Sequence, residues 1–199
     1  MSSAELVSHE PATGAEIWRG APGDVDAEVA AARAAWAEWA SKPLAVRVEA
    51  VRRFANITRS ELAAFADLIA RETGKPLWEA RNEVESVIAK ADISISAYAE
   101  RTAQRRLEGA LGVRSALRHK PHGVLAVLGP YNFPAHLPNG HILPALIAGN
   151  AVVFKPSEHT PAVGEMLVSL YREAGIPEGV VRLVVGGAEE GQALSAHNG

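Results

Sequence analysis

A chain of 199 residues, 48% hydrophobic and with a formal net charge of −3, has the profile of an ordinary globular protein able to bury a sizeable core. The slight acidic balance excludes a phosphate-tracking surface as the main purpose, so no nucleic-acid partner is expected. No run approaches the roughly 18 apolar residues of a membrane helix and the first ten residues form no leader, so a cytoplasmic chain without membrane contact is expected; the absence of cysteine excludes disulfides and a thiol nucleophile within it.

From Leu6 to Asp24, Pro-Ala-Thr-Gly turn chemistry between short apolar pieces predicts strands joined by a turn. A helix follows, capped by Asp24 or Asp26, with Val25, Val29, Ala32, Trp36 and Trp39 on one face until Pro43. Two stripes, Val48, Val51, Phe54, Ile57 and then Leu62, Phe65, Leu68, Ile69, predict two helices ending at Gly74-Lys75-Pro76. A long helix is predicted from Trp78 to about Arg106 on Ala80, Val84, Val87, Ala91, Ile95 and Tyr98. Its basic end, Arg101, Arg105 and Arg106, continues through a strand over Val113 to His119, and reads as a solvated helix end and edge strand.

After Gly123 the pattern alternates. VLAVLGP is a continuous apolar run of the kind a doubly covered parallel strand shows, HLPNGHILPALIAGN a helix closed by Gly149, and AVVFKPS a strand. Thr160-Pro161 marks a helix start with Thr160 as N-cap, VVRLVVGG another buried strand, and GAEEGQALSAH a further helix. Such alternation predicts an α/β fold with a wound parallel sheet, whose ligands sit at the carboxyl ends of the strands: Gly129 to Phe133, Lys155 to Glu158 and Gly186 to Gly191.

Each end has candidate chemistry. In GPYNFP the Asn132 amide, held between two prolines, can donate to a carbonyl oxygen gaining negative charge, or simply support its turn through an Asx hydrogen bond. In FKPSEHTP, Lys155 and Glu158 suit a ribose, ammonium donating and carboxylate accepting, against the alternative of a solvated charged loop. Glu158 would repel a 2′-phosphate and so favours NAD over NADP. The third end lacks GxGxxG, and Glu189 and Glu190 are poorly suited to a pyrophosphate, so an adenine-side contact suits this glycine turn better than a phosphate cradle. His119, His122, His136 and His141 form no HExxH, and no metal site is expected.

GPYNFP, PALIAGNAVVFKPSEHTP and GIPEGVVRLVVGG, in that order, resemble the aldehyde dehydrogenase superfamily pattern of a Pro-(Trp/Tyr)-Asn-(Phe/Tyr)-Pro turn, a Gly-Asn…Lys-Pro-Ser-Glu-x-Thr-Pro segment and a Gly-x-Pro-x-Gly-Val segment. RETGKPLWEA upstream matches as well. Tyr131 and the HLPNGH run from His136 to His141 resemble the branch of the family that oxidises an N-succinylated glutamate semialdehyde, and the polar residues of HLPNGH are expected to face that substrate. The resemblance implies a Rossmann-like parallel sheet flanked by helices, with a leading helical segment and part of an oligomerisation strand or hairpin. It divides the chain into N-terminal strands and helices (1–112), an oligomerisation strand element (113–123) and the βαβ part of an NAD-binding domain (124–199). It implies Asn132 as the oxyanion donor, NAD as cofactor held by Pro130, Tyr131, Lys155, Ser157, Glu158, Gly187 and Gly191, a small aldehyde as substrate, and a homodimer or homotetramer in the full-length form. The family's glycine-serine turn, glutamate base and cysteine nucleophile are expected beyond Gly199, leaving this chain inactive alone.

Overall fold

The computed structural model describes residues 5–103, 105–108 and 114–198. Leu6–His9 (β1) and Glu16–Gly20 (β2) pair antiparallel, with Gly14 at φ 74° in the turn between them. Four helices follow: Val25–Ser41 (α1), Leu44–Ser60 (α2), Leu62–Thr73 (α3) and Leu77–Arg101 (α4). Asp24 is the α1 cap, its Oδ1 accepting from the Ala27 N–H at 3.0 Å. The apolar stripes point where their spacing predicts, with Val51, Phe54, Phe65, Ile69, Val84 and Val87 all fully buried.

The long helix stops at Arg101, short of the predicted Arg106. Its apolar stripe runs out at Tyr98, and Arg105–Glu108 (β3) pairs antiparallel with Arg114–Leu117 (β4), Arg105 opposite Leu117. Beyond Tyr98 the sequence is mostly polar and basic, and the β3–β4 ladder takes up the backbone groups. Every residue of β4 is exposed, and Val113, the expected start of that strand, lies outside the described residues.

Val124–Leu128 (β5), Ala151–Lys155 (β6) and Val181–Leu183 (β7) form a parallel sheet in the order β5-β6-β7. His136–Ile147 (α5) and Pro161–Glu173 (α6) connect them, and Ala188–Ala196 (α7) follows. Central β6 is buried on both faces: Val152 and Phe154 enter the larger core, Ala151 and Val153 the smaller one beside α1 and α7. β5 has helices on both faces, α5 on one and α1 and α7 on the other, as expected, but it is less buried than β6. Only its Val127 is buried, because among the described strands β6 is its single neighbour. The layers therefore run α1 and α7, then the sheet, then α5 and α6, then α2 to α4 outermost.

The outer helices hold both ends of the inner ones. At the α5 N-terminus the Glu83 carboxylate accepts from the Ala135 and His136 N–H groups at 3.0 and 3.1 Å, and at its C-terminus Arg47 Nε donates to the Ile147 carbonyl at 3.0 Å. At the α6 N-terminus Glu72 accepts from Ala162 and Val163 at 3.0 and 2.8 Å, while Arg53 Nε meets the Ala174 carbonyl at 2.9 Å. Negative charge at a helix start and positive charge at its end oppose the helix dipole and satisfy groups the helix cannot pair itself. Thr160 therefore does not cap α6 as predicted. Its hydroxyl makes no cap bond because Glu72 has taken that place.

Candidate functional site

The Gly129 N–H donates to the Lys155 carbonyl at 2.8 Å, carrying the β5–β6 pairing into the loops and starting two turns side by side. A Cβ on Gly129 would lie 2.8 Å from Phe154 Cε2, so this approach requires glycine. Across the two turns, Tyr131 meets the His159 ring edge-on, centroids 6.1 Å apart.

In the first turn Asn132 is exposed, and its side-chain Oδ1 accepts from the Phe133 N–H at 3.1 Å. That bond is the turn-supporting reading of Asn132, and it serves the other as well: with the oxygen engaged, the amide NH2 is the half left to donate outward. The Asn132 carbonyl is fixed separately, by Lys75 Nζ at 2.7 Å. Lys75 in turn binds Glu83 at 2.7 Å, with side-chain exposures of 9% and 0%, and stands 4.4 Å over the Phe133 ring. A buried ion pair from the helical layer thus grips the turn on both sides of Phe133.

The second turn leaves Lys155 buried, Nζ donating to the Pro156 carbonyl at 3.0 Å. Burial lowers the Lys155 pKa from its ordinary value, partly offset by the Glu158 and Glu190 carboxylates. Glu158 is exposed, and its carboxyl is held below the usual range first by its own backbone N–H, against some desolvation, and then by the Lys155 ammonium, His159 and the Ser157 hydroxyl. Ser157 Oγ lies 3.4 Å from Glu158 Oε2 and accepts from the His159 N–H at 3.3 Å. The lysine and the carboxylate therefore share one turn, the first buried and the second open to solvent.

At the third strand end Glu190 folds back, accepting from the Gly187 N–H at 2.7 Å. The positive end of α7 already holds a carboxylate where a phosphate would sit. Beside it, Leu128, Ala188, Gly191, Gln192, Ser195 and Ala196 line an open slot of about 600 Å³. A Cβ on Gly191 would lie 3.7 Å from the Lys155 side chain, so this glycine joins the slot to the second turn. Its walls are mainly apolar, and the helix end beside it is already occupied by Glu190.

One expectation changes and three residues are added. Asn139 of HLPNGH is fully buried, donating to the Val87 carbonyl and accepting from Tyr171 Oη, so it packs the core instead of facing a substrate. Lys75, Glu83 and Glu72 carry site geometry that the sequence reading missed. The available signal was a lone carboxylate set into a buried helical stripe: Glu83 beside Ala80, Val84 and Val87, and Glu72 after Phe65 and Ile69. Among the described residues no group of three or more His, Asp or Glu side chains could hold a metal ion.

The aldehyde dehydrogenase family model matches residues 2–199. The chain belongs to the aldehyde dehydrogenase family. It is 70% identical to N-succinylglutamate 5-semialdehyde dehydrogenase of Sphingopyxis alaskensis over 99% of this chain and 41% of that protein. Among solved structures it superposes on an NAD-dependent benzaldehyde dehydrogenase from Corynebacterium glutamicum with a TM-score of 0.90 at 29% identity, covering 98% of this chain and 44% of that one. An NADP-dependent glyceraldehyde-3-phosphate dehydrogenase from Bacillus halodurans, complexed with NADP, gives 0.89 at 26% identity, covering 98% and 43%. The chain thus spans less than half the length of each aldehyde dehydrogenase it matches here, and its α/β architecture is the corresponding part of their fold.

Proposed function

We propose that this chain supplies the oxyanion donor and the adenosine side of the cofactor site of an NAD-dependent dehydrogenase that oxidises N-succinyl-L-glutamate 5-semialdehyde to N-succinylglutamate. The observation that carries the reading is the pair of turns joined by the Gly129–Lys155 bond, which brings the Asn132 amide to the same strand ends as Lys155 and Glu158. Family membership, an NAD-dependent neighbour and an NADP-bound neighbour support a nicotinamide dinucleotide. The choice of NAD rests on Glu158, whose negative charge opposes a 2′-phosphate. The choice of substrate rests on the 70% identical relative.

The residues present fit such a cofactor. Lys155 would donate to, and Glu158 accept from, the ribose hydroxyls, with Pro130, Tyr131 and Ser157 beside them, and Gly187 and Gly191 would flank the base. When bound, the nicotinamide accepts hydride from the substrate carbon. Asn132 donates its amide hydrogen to the aldehyde oxygen as that oxygen gains charge, a contact worth about 2.7–4 kcal/mol where such a donor has been removed from an enzyme. The chain has no cysteine, so the thiol nucleophile and its base come from residues outside it, and alone it turns over no aldehyde. In the same reading, the stretch 113–123 belongs to an oligomerisation element, 1–112 and 124–199 to the cofactor domain, and the full-length form is a dimer or tetramer.

Calorimetric titration of the chain tests this. NAD+ is expected to bind at least roughly tenfold more tightly than NADP+, with Lys155→Met weakening both. No heat with either nucleotide at millimolar concentration would overturn the cofactor assignment.

A further inference from the structure

The two acids that open α7 are placed differently. Glu189 is exposed, while Glu190 is half-buried and folds back, its Oε2 accepting from the Gly187 N–H at 2.7 Å. Gly186 makes room for this. A Cβ there would lie 2.5 Å from Glu190 Oε2, closer than a real side chain approaches, so the carboxylate rests directly on the backbone leading out of β7.

A carboxylate that served only as a cap would act on its own helix alone. Glu190 also acts across the strand ends. The stem of Lys155 lies against the first turn of α7, since a Cβ on Gly191 would stand 3.7 Å from both its Cδ and its Cε. Two carboxylates oppose the effect of burial on Lys155: Glu158 from its own turn and Glu190 from α7, with Glu189 not among them. One buried lysine therefore faces acids from two separate elements. That lysine and the α7 N-terminus are the parts of this site that attract a phosphate, and Glu190 occupies the second while offsetting the first.

We propose that Glu190 is a second cofactor-discriminating residue, whose carboxylate fills the positive end of α7 beside Lys155 and so withholds that anchor from the 2′-phosphate of NADP+. This rests on the reading given above, in which Lys155 and Glu158 hold the adenosine ribose. NADP+ differs from NAD+ by a phosphate on that ribose, which adds close to two negative charges at neutral pH. Glu158 opposes this phosphate from the Lys155 turn. Glu190 opposes it from the other side of the lysine, on an element that the ribose hydroxyls of NAD+ have no need to reach.

Calorimetric titration of the full-length dehydrogenase carrying this chain, with NAD+ and with NADP+, tests the assignment. Glu190→Gln removes the charge and keeps an oxygen to accept from the Gly187 N–H. It is expected to tighten NADP+ binding about 10-fold, to change NAD+ binding less than about twofold, and to leave the thermal unfolding midpoint of the unliganded enzyme in place. Glu189→Gln, which removes the same charge one residue away, is expected to leave both affinities within about twofold. Equal shifts for both nucleotides in Glu190→Gln, no shift for either, or the same gain in Glu189→Gln would overturn the proposal. An unsubstituted enzyme that binds neither nucleotide, or binds NADP+ the more tightly, overturns the cofactor reading itself, a failure seen before any variant is made.

Discussion

Lys75 and Glu83 neutralise each other almost entirely out of water, at 2.7 Å, and both also bond the backbone of the Asn132 turn. Removing one leaves the other charged and buried. Lys75→Met is therefore expected to cost about 3–5 kcal/mol in urea unfolding, while Lys75→Met with Glu83→Gln costs less than the sum of the single changes. Additive losses would show that the pair is not coupled. This pair also marks the limit of what single residues disclose in the sequence. Asn132 and Lys155 stand out because a strand end crowded with proline is an unusual place for an amide or an ammonium. Glu83 looks like one more solvent-facing acid of a helix, since its partners lie 52 residues away on another element.

At the scale of elements, the cap on α6 ties the stability of that helix to pH. Burial raises the Glu72 pKa, only partly opposed by the Ser8 hydroxyl and the Val163 and Ala162 N–H groups. A carboxyl whose folded value lies above its unfolded value binds more protons when folded. Its contribution is complete below the unfolded value near 4.5 and falls as pH rises through the raised folded value. Unfolding free energies of the native chain and of Glu72→Gln, measured across that window, are expected to diverge with the native chain losing ground as pH rises. Parallel curves would remove Glu72 as the cause. Most elements were legible from the sequence, because amphipathic stripes such as Val51–Phe54 and Phe65–Ile69 must face a core whichever core it is. The end of α4 and the partial burial of β5 were not, since both depend on which strand lies alongside: β4 for the chain leaving α4, and, among the described strands, β6 alone for β5.

For the whole molecule, four of the ten exposed large apolar side chains among the described residues fall within Leu128–Leu137: Leu128, Tyr131, Phe133 and Leu137, at 52, 62, 36 and 42%. Trp78, at 66%, is the most open of the ten. Apolar exposure concentrated in this way marks a surface that seeks cover. The chain is expected to bind a hydrophobic dye and to self-associate reversibly at tens of micromolar in sedimentation velocity, with association reduced in Leu128→Ser with Trp78→Ser. A dye-silent monomer at those concentrations would contradict this. The charged clamps on α5 and α6 bear on how the molecule acquires its shape. Glu83 to Ala135, Glu72 to Val163, Arg47 to Ile147 and Arg53 to Ala174 close separations of 52, 91, 100 and 121 residues. Contacts so distant in sequence form only after the intervening chain has collapsed. Loops of that length are costly to close, so the two turns that hold Asn132 and Lys155 owe their geometry to contacts that only the folded whole can make.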